Sequence, residues 1–217
     1  MPSLSYLDKI AVLDLGDNEN RFSPEFLEQV GAHLDTVVAD GAQALITTAS
    51  GKFYSNGLDL DWLGANADQF GSYVGQVQSL FARVLTLPMP TAAALPGHAF
   101  GAGAMLAIAH DFRVMREDRG YFCFPEVDIH IPFSAGMAAL IQAKLSPKSA
   151  VASMTTGRRF GGPDALAHDI VDAIAAADAV TDTAAALLTP LGAKDSDTLG
   201  AIKNTMFGAA VTALATV

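Results

Sequence analysis

The sequence predicts a protein of the α/β class, and two observations carry that prediction. Segments with the pattern of strands alternate along the chain with segments that show the apolar periodicity of helices. Residues 42–48 are apolar on both faces, as in a parallel sheet covered by helices on both sides. A chain of 217 residues is long enough to bury a core without disulfides.

The first predicted elements are a strand, a helix and a second strand. Residues 10–15 are predicted to form the first strand, which leads into a polar turn. Ser23 suits an N-cap and Pro24 suits the first helical position, so we expect a helix to begin there and to reach about residue 39. Residues 42–48 are predicted to form the second strand.

Beyond residue 50, glycine-containing loops alternate with strands and small-residue helices. Residues 51–59 are predicted to be a loop. Further strands are predicted at residues 91–95, 112–115 and 121–124, and helices at residues 68–85 and 101–110. Helices are expected to dominate from residue 134, including the alanine-rich part 173–217.

The composition argues against several classes of function. A net charge of −10 offers no basic footprint for nucleic acid, and no stretch of about 18 apolar residues predicts a membrane span. The N-terminus lacks the pattern of a secretory signal, and the C-terminus lacks a peroxisomal Ser-Lys-Leu ending. The lone Cys123 fits a reducing compartment, so we expect a cytoplasmic protein. No Cys/His cluster has metal-ligand spacing, and we expect neither a metal nor a cofactor.

Two glycine-bearing turns suggest a site for an oxygen anion. Gly57, within GKFYSNGLDL, allows a tight turn that can leave the N–H of Leu58 pointing into a cleft. The segment PGHAFGAGAM leads from a strand to a helix N-terminus, where the first N–H groups lack intrahelical partners and carry the positive end of the dipole. Two such donors form an oxyanion hole, in which each is typically worth about 3 kcal/mol of barrier.

Four segments, in this order, resemble the crotonase (enoyl-CoA hydratase/isomerase) family. They are GKFYSNGLDLDWL, PTAAALPGHAFGAGAMLAIAHDFRVM, FCFPEVDIHIPFSAG and TGRRFGGPDALAHDIVDAI. The resemblance covers most of residues 5–175. It implies a crotonase-like fold of repeated ββα units, with a core domain at 1–175 and an oligomerising helical part at 176–217. It also implies an acyl-CoA thioester substrate and assembly as a homotrimer or a dimer of trimers.

By position, the resemblance assigns a role to three residues. Glu126 falls on the family's catalytic glutamate, and the N–H groups of Leu58 and Ala102 fall on its oxyanion-hole donors. The implied substrate-binding residues are Ser55, Asn56, Gly57, Asp59, Gly101 and Met105. Coenzyme A is anionic, so basic residues are expected to compensate for the acidic chain. The candidates are Lys52, Arg83, Arg158 and Arg159.

Met105 bears on the choice of reaction. Hydratases of this family use two glutamates to position and activate a water, and Met105 stands where the second glutamate is expected. A double-bond shift needs only one base, which removes a proton from C2 of a 3-enoyl thioester and returns it to C4. The resemblance therefore implies a Δ3,Δ2-enoyl-CoA isomerase. Two alternatives stay open: a hydratase or another crotonase-type reaction, and a catalytically silent acyl-CoA-binding subunit.

Overall fold

The computed structural model describes residues 1–216 and has two sheets with helices around them. The strands are β1 (Ser3–Leu7), β2 (Ile10–Asp14), β3 (Ala44–Thr48), β4 (Phe53–Ser55), β5 (Thr91–Leu95), β6 (His98–Phe100), β7 (Phe112–Arg116), β8 (Phe122–Cys123) and β9 (Ala173–Ala175). The helices are α1 (Pro24–Ala39), α2 (Leu60–Ala65), α3 (Phe70–Leu85), α4 (Ala102–Ala109), α5 (Ala135–Lys144), α6 (Pro147–Met154), α7 (Gly162–Ala167), α8 (Val180–Leu188) and α9 (Ser196–Leu214).

The larger sheet has six strands in the order β1-β2-β3-β5-β7-β9, and only β1 and β2 are antiparallel to each other. The central strands β2, β3, β5 and β7 are largely buried on both faces, and neighbouring residues of each strand point to opposite faces. Ala44 and Ile46 pack in a cluster with Val180 and Leu188 of α8, whereas Leu45 belongs to the main core with α1, α3 and α4. This arrangement confirms the prediction from residues 42–48.

The smaller sheet, in the order β4-β6-β8, is parallel throughout. The carboxyl ends of neighbouring parallel strands lie at one edge of a sheet. The turns that follow these three strands therefore lie side by side at that edge. These turns contain Leu58, Gly101 and Glu126 respectively, so the short sheet brings three distant segments of the chain together.

Several elements differ from the sequence prediction. The segment 51–59 contains β4, and β6 follows directly after the turn at Gly97; both strands have only three residues, too few for periodicity to be visible. β1 and α2 were not predicted. The predicted helical part 173–217 begins with β9, because Ala173–Ala175 pair with the edge of β7. The Ser23 cap is confirmed: its hydroxyl accepts a hydrogen bond from the N–H of Phe26 at 3.2 Å.

The C-terminal helices pack on the same core as the rest of the chain. α9 lies against α5 and α3, and the Gln78 side chain of α3 donates hydrogen bonds to the carbonyls of Leu214 at 3.1 Å and Thr216 at 3.2 Å. α8 covers the larger sheet. The division at residue 175 stays a prediction. Within residues 1–216, no helix combines the length and apolar character that crossing a bilayer requires.

Candidate active site

A cleft of about 330 Å³ lies where the three turns after β4, β6 and β8 meet. Its walls are mostly apolar, with a few polar groups between them. The lining residues are Arg21, Asn56, Leu58, Leu60, Asp61, Phe100, Gly101, Ala102, Pro125, Glu126, Ile129 and Ile131. Both predicted oxyanion donors and the predicted catalytic glutamate thus line one cleft.

Glu126 lies in a tight turn rather than in extended chain. The N–H groups of Asp128 and Ile129 both donate to the carbonyl of Pro125, at 2.9 and 3.0 Å. Residues 126–129 are therefore not part of a strand. The turn buries Glu126, which is only 8% exposed.

The Glu126 carboxylate is buried without a partner for one of its oxygens. Its Oε2 has no hydrogen-bond partner among the described residues. Burial raises the pKa of Glu126 to about 7, because the charged form loses its water, and a backbone hydrogen bond within the residue only partly opposes that effect. A carboxylic acid with this pKa can both accept and return a proton near neutral pH.

The turn after β4 is fixed from behind by Ser55 and Asn20. The buried Ser55 hydroxyl donates to the carbonyl of Asn20 at 2.8 Å and accepts the N–H of Gly57 at 3.1 Å. The Asn20 side chain donates to the carbonyls of Phe53 and Tyr54, both at 3.1 Å. We expected Ser55 at the substrate, but its hydroxyl is instead hydrogen-bonded within the protein and stabilises the turn.

The turns after β4 and β6 are in direct contact through Gly57. This residue has φ +82°, and a Cβ there would lie 2.9 Å from the nitrogen of Ala102 and 2.8 Å from the carbonyl oxygen of Phe100. Only glycine allows this conformation and this approach without strain. The contact places the N–H of Leu58, which follows Gly57, near the N–H of Ala102, and neither donates a hydrogen bond within the described chain.

Gly101 connects the helix terminus to the glutamate. Its φ is +51°, its N–H donates to the carbonyl of Cys123 at 3.0 Å, and α4 begins at the next residue. A Cβ at Gly101 would lie 3.3 Å from Oε1 of Glu126. The free N–H groups at the start of α4 and the carboxylate are therefore neighbours across the cleft.

Two further residues expected at the substrate have other positions. Met105 is 1% exposed and packs in the main core one helical turn beyond Gly101, so it does not line the cleft. Asp59 caps α2, where its side chain accepts the N–H of Trp62 at 3.1 Å. Asn56, Gly101 and Ala102 do line the cleft.

The sequence prediction missed several residues of the cleft wall. Arg21 follows a polar turn and gave no signal of its own; its guanidinium binds Glu19 and Asp61, each at 2.5 Å. Asp61 and Pro125 were also missed. The remaining missed residues, which are apolar or aromatic and resemble ordinary core positions, are Leu60, Phe100, Ile129 and Ile131.

The four basic candidates for coenzyme A are dispersed. The Arg83 guanidinium pairs with Asp35 at 2.6 Å, and the Arg158 guanidinium pairs with both oxygens of Asp164 at 2.8 Å. The Lys52 ammonium lies over the ring of Phe53, 5.2 Å from its centroid. The Arg159 guanidinium lies 5.7 Å from the ring centroid of Phe100, which lines the cleft.

The cleft has the parts needed for proton abstraction next to a carbonyl. A carboxylate with a raised pKa faces an apolar space, and two main-chain N–H groups lie near it without acceptors. A carbonyl oxygen bound by such donors stabilises the negative charge that develops when the neighbouring carbon loses a proton. Apolar walls keep water from competing for that charge.

Known proteins place this fold and sequence in one family. The model of the enoyl-CoA hydratase/isomerase family matches residues 8–217, which extends the resemblance beyond residue 175. The chain is 37% identical over 169 residues to the peroxisomal enoyl-CoA delta isomerase 2 of Arabidopsis thaliana. That match covers 74% of this chain and 70% of the relative.

Solved structures show the same fold in proteins with two different names. The human mitochondrial delta3-delta2-enoyl-CoA isomerase superposes with a TM-score of 0.90 at 21% identity, covering 97% of this chain and 84% of that one. The enoyl-CoA hydratase of Bacillus anthracis superposes with a TM-score of 0.85 at 21% identity, covering 98% of this chain and 90% of that one. The fold does not distinguish the two names. With a family model that matches almost its whole length, the chain belongs to the enoyl-CoA hydratase/isomerase family.

Proposed function

We propose that this protein is a Δ3,Δ2-enoyl-CoA isomerase of fatty-acid metabolism that uses Glu126 as its one base. The observation that carries the proposal is the isolation of this carboxylate, which is buried in a mostly apolar cleft and has one oxygen without a hydrogen-bond partner among the described residues. The 37% identical Arabidopsis relative, which is named as an enoyl-CoA delta isomerase, supports the same reaction.

The mechanism starts with the thioester oxygen at the N–H groups of Leu58 and Ala102. The Glu126 carboxylate removes a proton from C2, and the electron pair of that C–H bond moves into a dienolate whose oxygen the two N–H groups stabilise. Glu126, now protonated, gives the proton to C4, and the double bond then lies between C2 and C3. Asn56, Gly57 and Gly101 contact the acyl thioester, and coenzyme A leaves with the product, so no cofactor is consumed.

Hydration needs a second acid or base, and among residues 1–216 the cleft lining contains one further carboxylate. Asp61 lines the cleft, but it is largely exposed and its oxygen binds the Arg21 guanidinium at 2.5 Å. Met105 has neither an acidic group nor access to the cleft. A bound water would thus lack the second carboxylate that positions it, which makes hydration the less supported reaction.

One experiment separates isomerase, hydratase and silent binder. Purified protein is incubated with 3-hexenoyl-CoA and, separately, with 2-hexenoyl-CoA, and the products are separated and weighed by mass spectrometry. The proposal predicts conversion of the first to 2-hexenoyl-CoA and no gain of water by the second. A 3-hydroxyacyl product would favour the hydratase. No turnover with measurable binding of the CoA ester would favour the silent subunit.

Assembly and location are part of the proposal. A homotrimer, or a dimer of trimers, is supported by large apolar side chains on the surface, such as Phe70 at 53% and Val151 at 62% exposure. Analytical ultracentrifugation tests this. A cytoplasmic location is supported by the single, buried cysteine, whereas the Arabidopsis relative's name places that protein in the peroxisome. Cell fractionation distinguishes the two compartments.

A further inference from the structure

The structure contains a second pocket, which shares no lining residue with the Glu126 cleft. It has a volume of about 580 Å³ and lies between the end of α5, the start of β7 and the outer side of α9. The size is that of a site for a small molecule. Its apolar lining consists of Pro90, Phe112, Leu191, Leu199, Ile202, Met206 and Phe207.

Several of the charged groups in this second pocket have hydrogen-bond partners. The Lys203 ammonium donates to Asp111 at 2.6 Å and to the carbonyl of Met89 at 2.7 Å. The Asp111 carboxylate also accepts the N–H of Thr91 at 2.8 Å. Asp195, on the rim, caps α9 by accepting the N–H of Thr198 at 2.8 Å. Both acidic groups of the pocket therefore already have partners.

Lys144 is different because its ammonium has no carboxylate partner. It is half-buried at the last turn of α5, and within residues 1–216 its side chain makes neither a hydrogen bond nor a salt bridge. Its Nζ lies 5.0 Å from the ring centroid of Phe207, a contact that leaves the ammonium's hydrogen-bonding capacity unused.

The electrostatic surroundings of Lys144 favour an added anion. Burial, together with the positive charges of Arg113 and Lys203, lowers the pKa of Lys144 to about 8, although the carboxylates of Asp111 and Asp172 oppose this. In the free protein, the positive charge of Lys144 is therefore incompletely balanced by nearby negative charge. A carboxylate placed beside it supplies that compensation and restores the hydrogen bonds lost on burial.

We propose that this pocket binds a free fatty acid, with its carboxylate at the Lys144 ammonium and its alkyl chain along Leu199, Ile202 and Met206. Ile202 and Met206 are 55% and 70% exposed, so a bound alkyl chain covers apolar surface that now faces water. The pocket fits an amphiphile with one negative group because it offers a half-buried ammonium, that of Lys144, without an anionic partner among residues 1–216, beside a mainly apolar lining. This site is independent of the reaction in the Glu126 cleft.

Binding of decanoate labelled with ¹³C at the carboxyl carbon, followed by NMR and by calorimetry, tests the site. We expect saturable binding, an affinity that rises about fourfold for each added methylene from hexanoate to decanoate, and at least about tenfold weaker binding of decanol. Lys144→Gln should weaken decanoate binding at least about tenfold. Lys194→Gln, which removes a rim lysine of the same pocket, should change it less than about twofold.

Two controls keep the result specific. Saturating 2-hexenoyl-CoA occupies the Glu126 cleft and should leave decanoate binding unchanged; displacement by the CoA ester would place decanoate in the cleft and overturn the proposal. Unchanged affinity in the Lys144→Gln variant would overturn it as well. Sedimentation of each variant shows whether the same face is instead an interface between copies. Absence of decanoate binding to a protein that is associated through α9 would assign the pocket to that interface and contradict the proposal.

Discussion

Glu126 is buried and Asp111 is partly buried, but their carboxylates have opposite surroundings. Asp111 accepts hydrogen bonds from the main chain and hydroxyl of Thr91 and from the Lys203 ammonium. Glu126 has one oxygen without any partner and lies between apolar side chains. Full pairing fixes a charge in place and serves the fold, whereas an unpaired carboxylate costs stability but stays free to exchange a proton.

The largest effect is expected from replacing the isolated carboxylate. Glu126→Gln keeps the size and polarity of the side chain but removes the base, so turnover of 3-hexenoyl-CoA should fall by about a thousandfold or more. Affinity for the CoA ester should change less than about threefold, because the amide still fits the cleft. Steady-state kinetics and calorimetry measure both quantities. Turnover close to that of the unmodified protein would remove Glu126 from the mechanism.

The matched change at Asp111 should act on stability instead. Asp111→Asn leaves the Lys203 ammonium without its counter-charge, so the free energy of unfolding should decrease by about 3 kcal/mol. The reaction rate per folded molecule should stay within about twofold, because Asp111 does not line the Glu126 cleft. Urea denaturation and active-site-normalised rates give the two values. A large loss of rate in fully folded Asp111→Asn protein would contradict the claim that Asp111 serves stability and not catalysis.

A substitution at Gly57 tests the contact between the turns after β4 and β6, which carry the two proposed oxyanion donors. Gly57→Ala places a methyl group 2.9 Å from the nitrogen of Ala102 at a backbone conformation that strains any other residue. The turns should separate, and kcat should fall by about a hundredfold or more, since the loss of one oxyanion donor costs about a hundred- to a thousandfold in kcat. Gly31→Ala is the control, because a Cβ at Gly31 meets nothing within 4 Å and should leave kcat unchanged.

Burial of the Glu126 carboxylate without a full set of partners should also lower the free energy of unfolding at high pH. The folded-state pKa of Glu126 is raised to about 7, so the protonated form is the one that folding favours, and stability falls as the pH rises towards 7. Glu126→Gln lacks this loss. The variant should therefore be more stable than the unmodified protein by about 1–3 kcal/mol at pH 8, with the difference vanishing near pH 4.5. Chemical denaturation at both pH values checks the sign.

The dependence of the rate on pH is a further expected consequence of the raised pKa of Glu126. The base must be ionised in the free enzyme, so kcat/KM should increase about tenfold per pH unit below 7 and level off above it. A kcat/KM that is flat between pH 5 and 8 would contradict a buried base. Rates measured with 3-hexenoyl-CoA across that range provide the profile.

Much of this site could be predicted because its chemistry lies in consecutive residues. The two glycine turns and Pro125-Glu126 are visible as sequence, and the three segments do line one cleft. Of the three strands that bring them together, β8 was predicted within residues 121–124, whereas β4 and β6 were missed because three residues are too few to show a period. The cleft wall was missed for another reason. Phe100, Ile129 and Ile131 have the composition of core residues, and only the three-dimensional arrangement shows that they face a cavity.

Met105 and Ser55 illustrate what position alone does not give. Both were expected at the substrate, but Met105 is enclosed in the core and Ser55 supports the Gly57 turn from behind. The direction of the Met105 side chain depends on how α4 packs, and that of Ser55 depends on which hydrogen-bond acceptors lie behind β4. The spacing of residues in the sequence does not determine either of these. Their place beside the site still matters, because they hold the backbone groups that face the cleft.

The most direct test of the one-base mechanism is isomerisation of 3-hexenoyl-CoA in D2O, with the isotope at C4 of the product determined by mass spectrometry over the first turnovers. A proton carried by a buried Glu126 from C2 to C4 exchanges slowly with solvent, so a substantial share of product molecules should keep protium at C4 and carry no solvent deuterium there. Product that holds one deuterium at C4 in every molecule from the first turnover would mean that the transferred proton equilibrates with solvent or comes from a second group, and would contradict direct transfer by a Glu126 that is shielded from water.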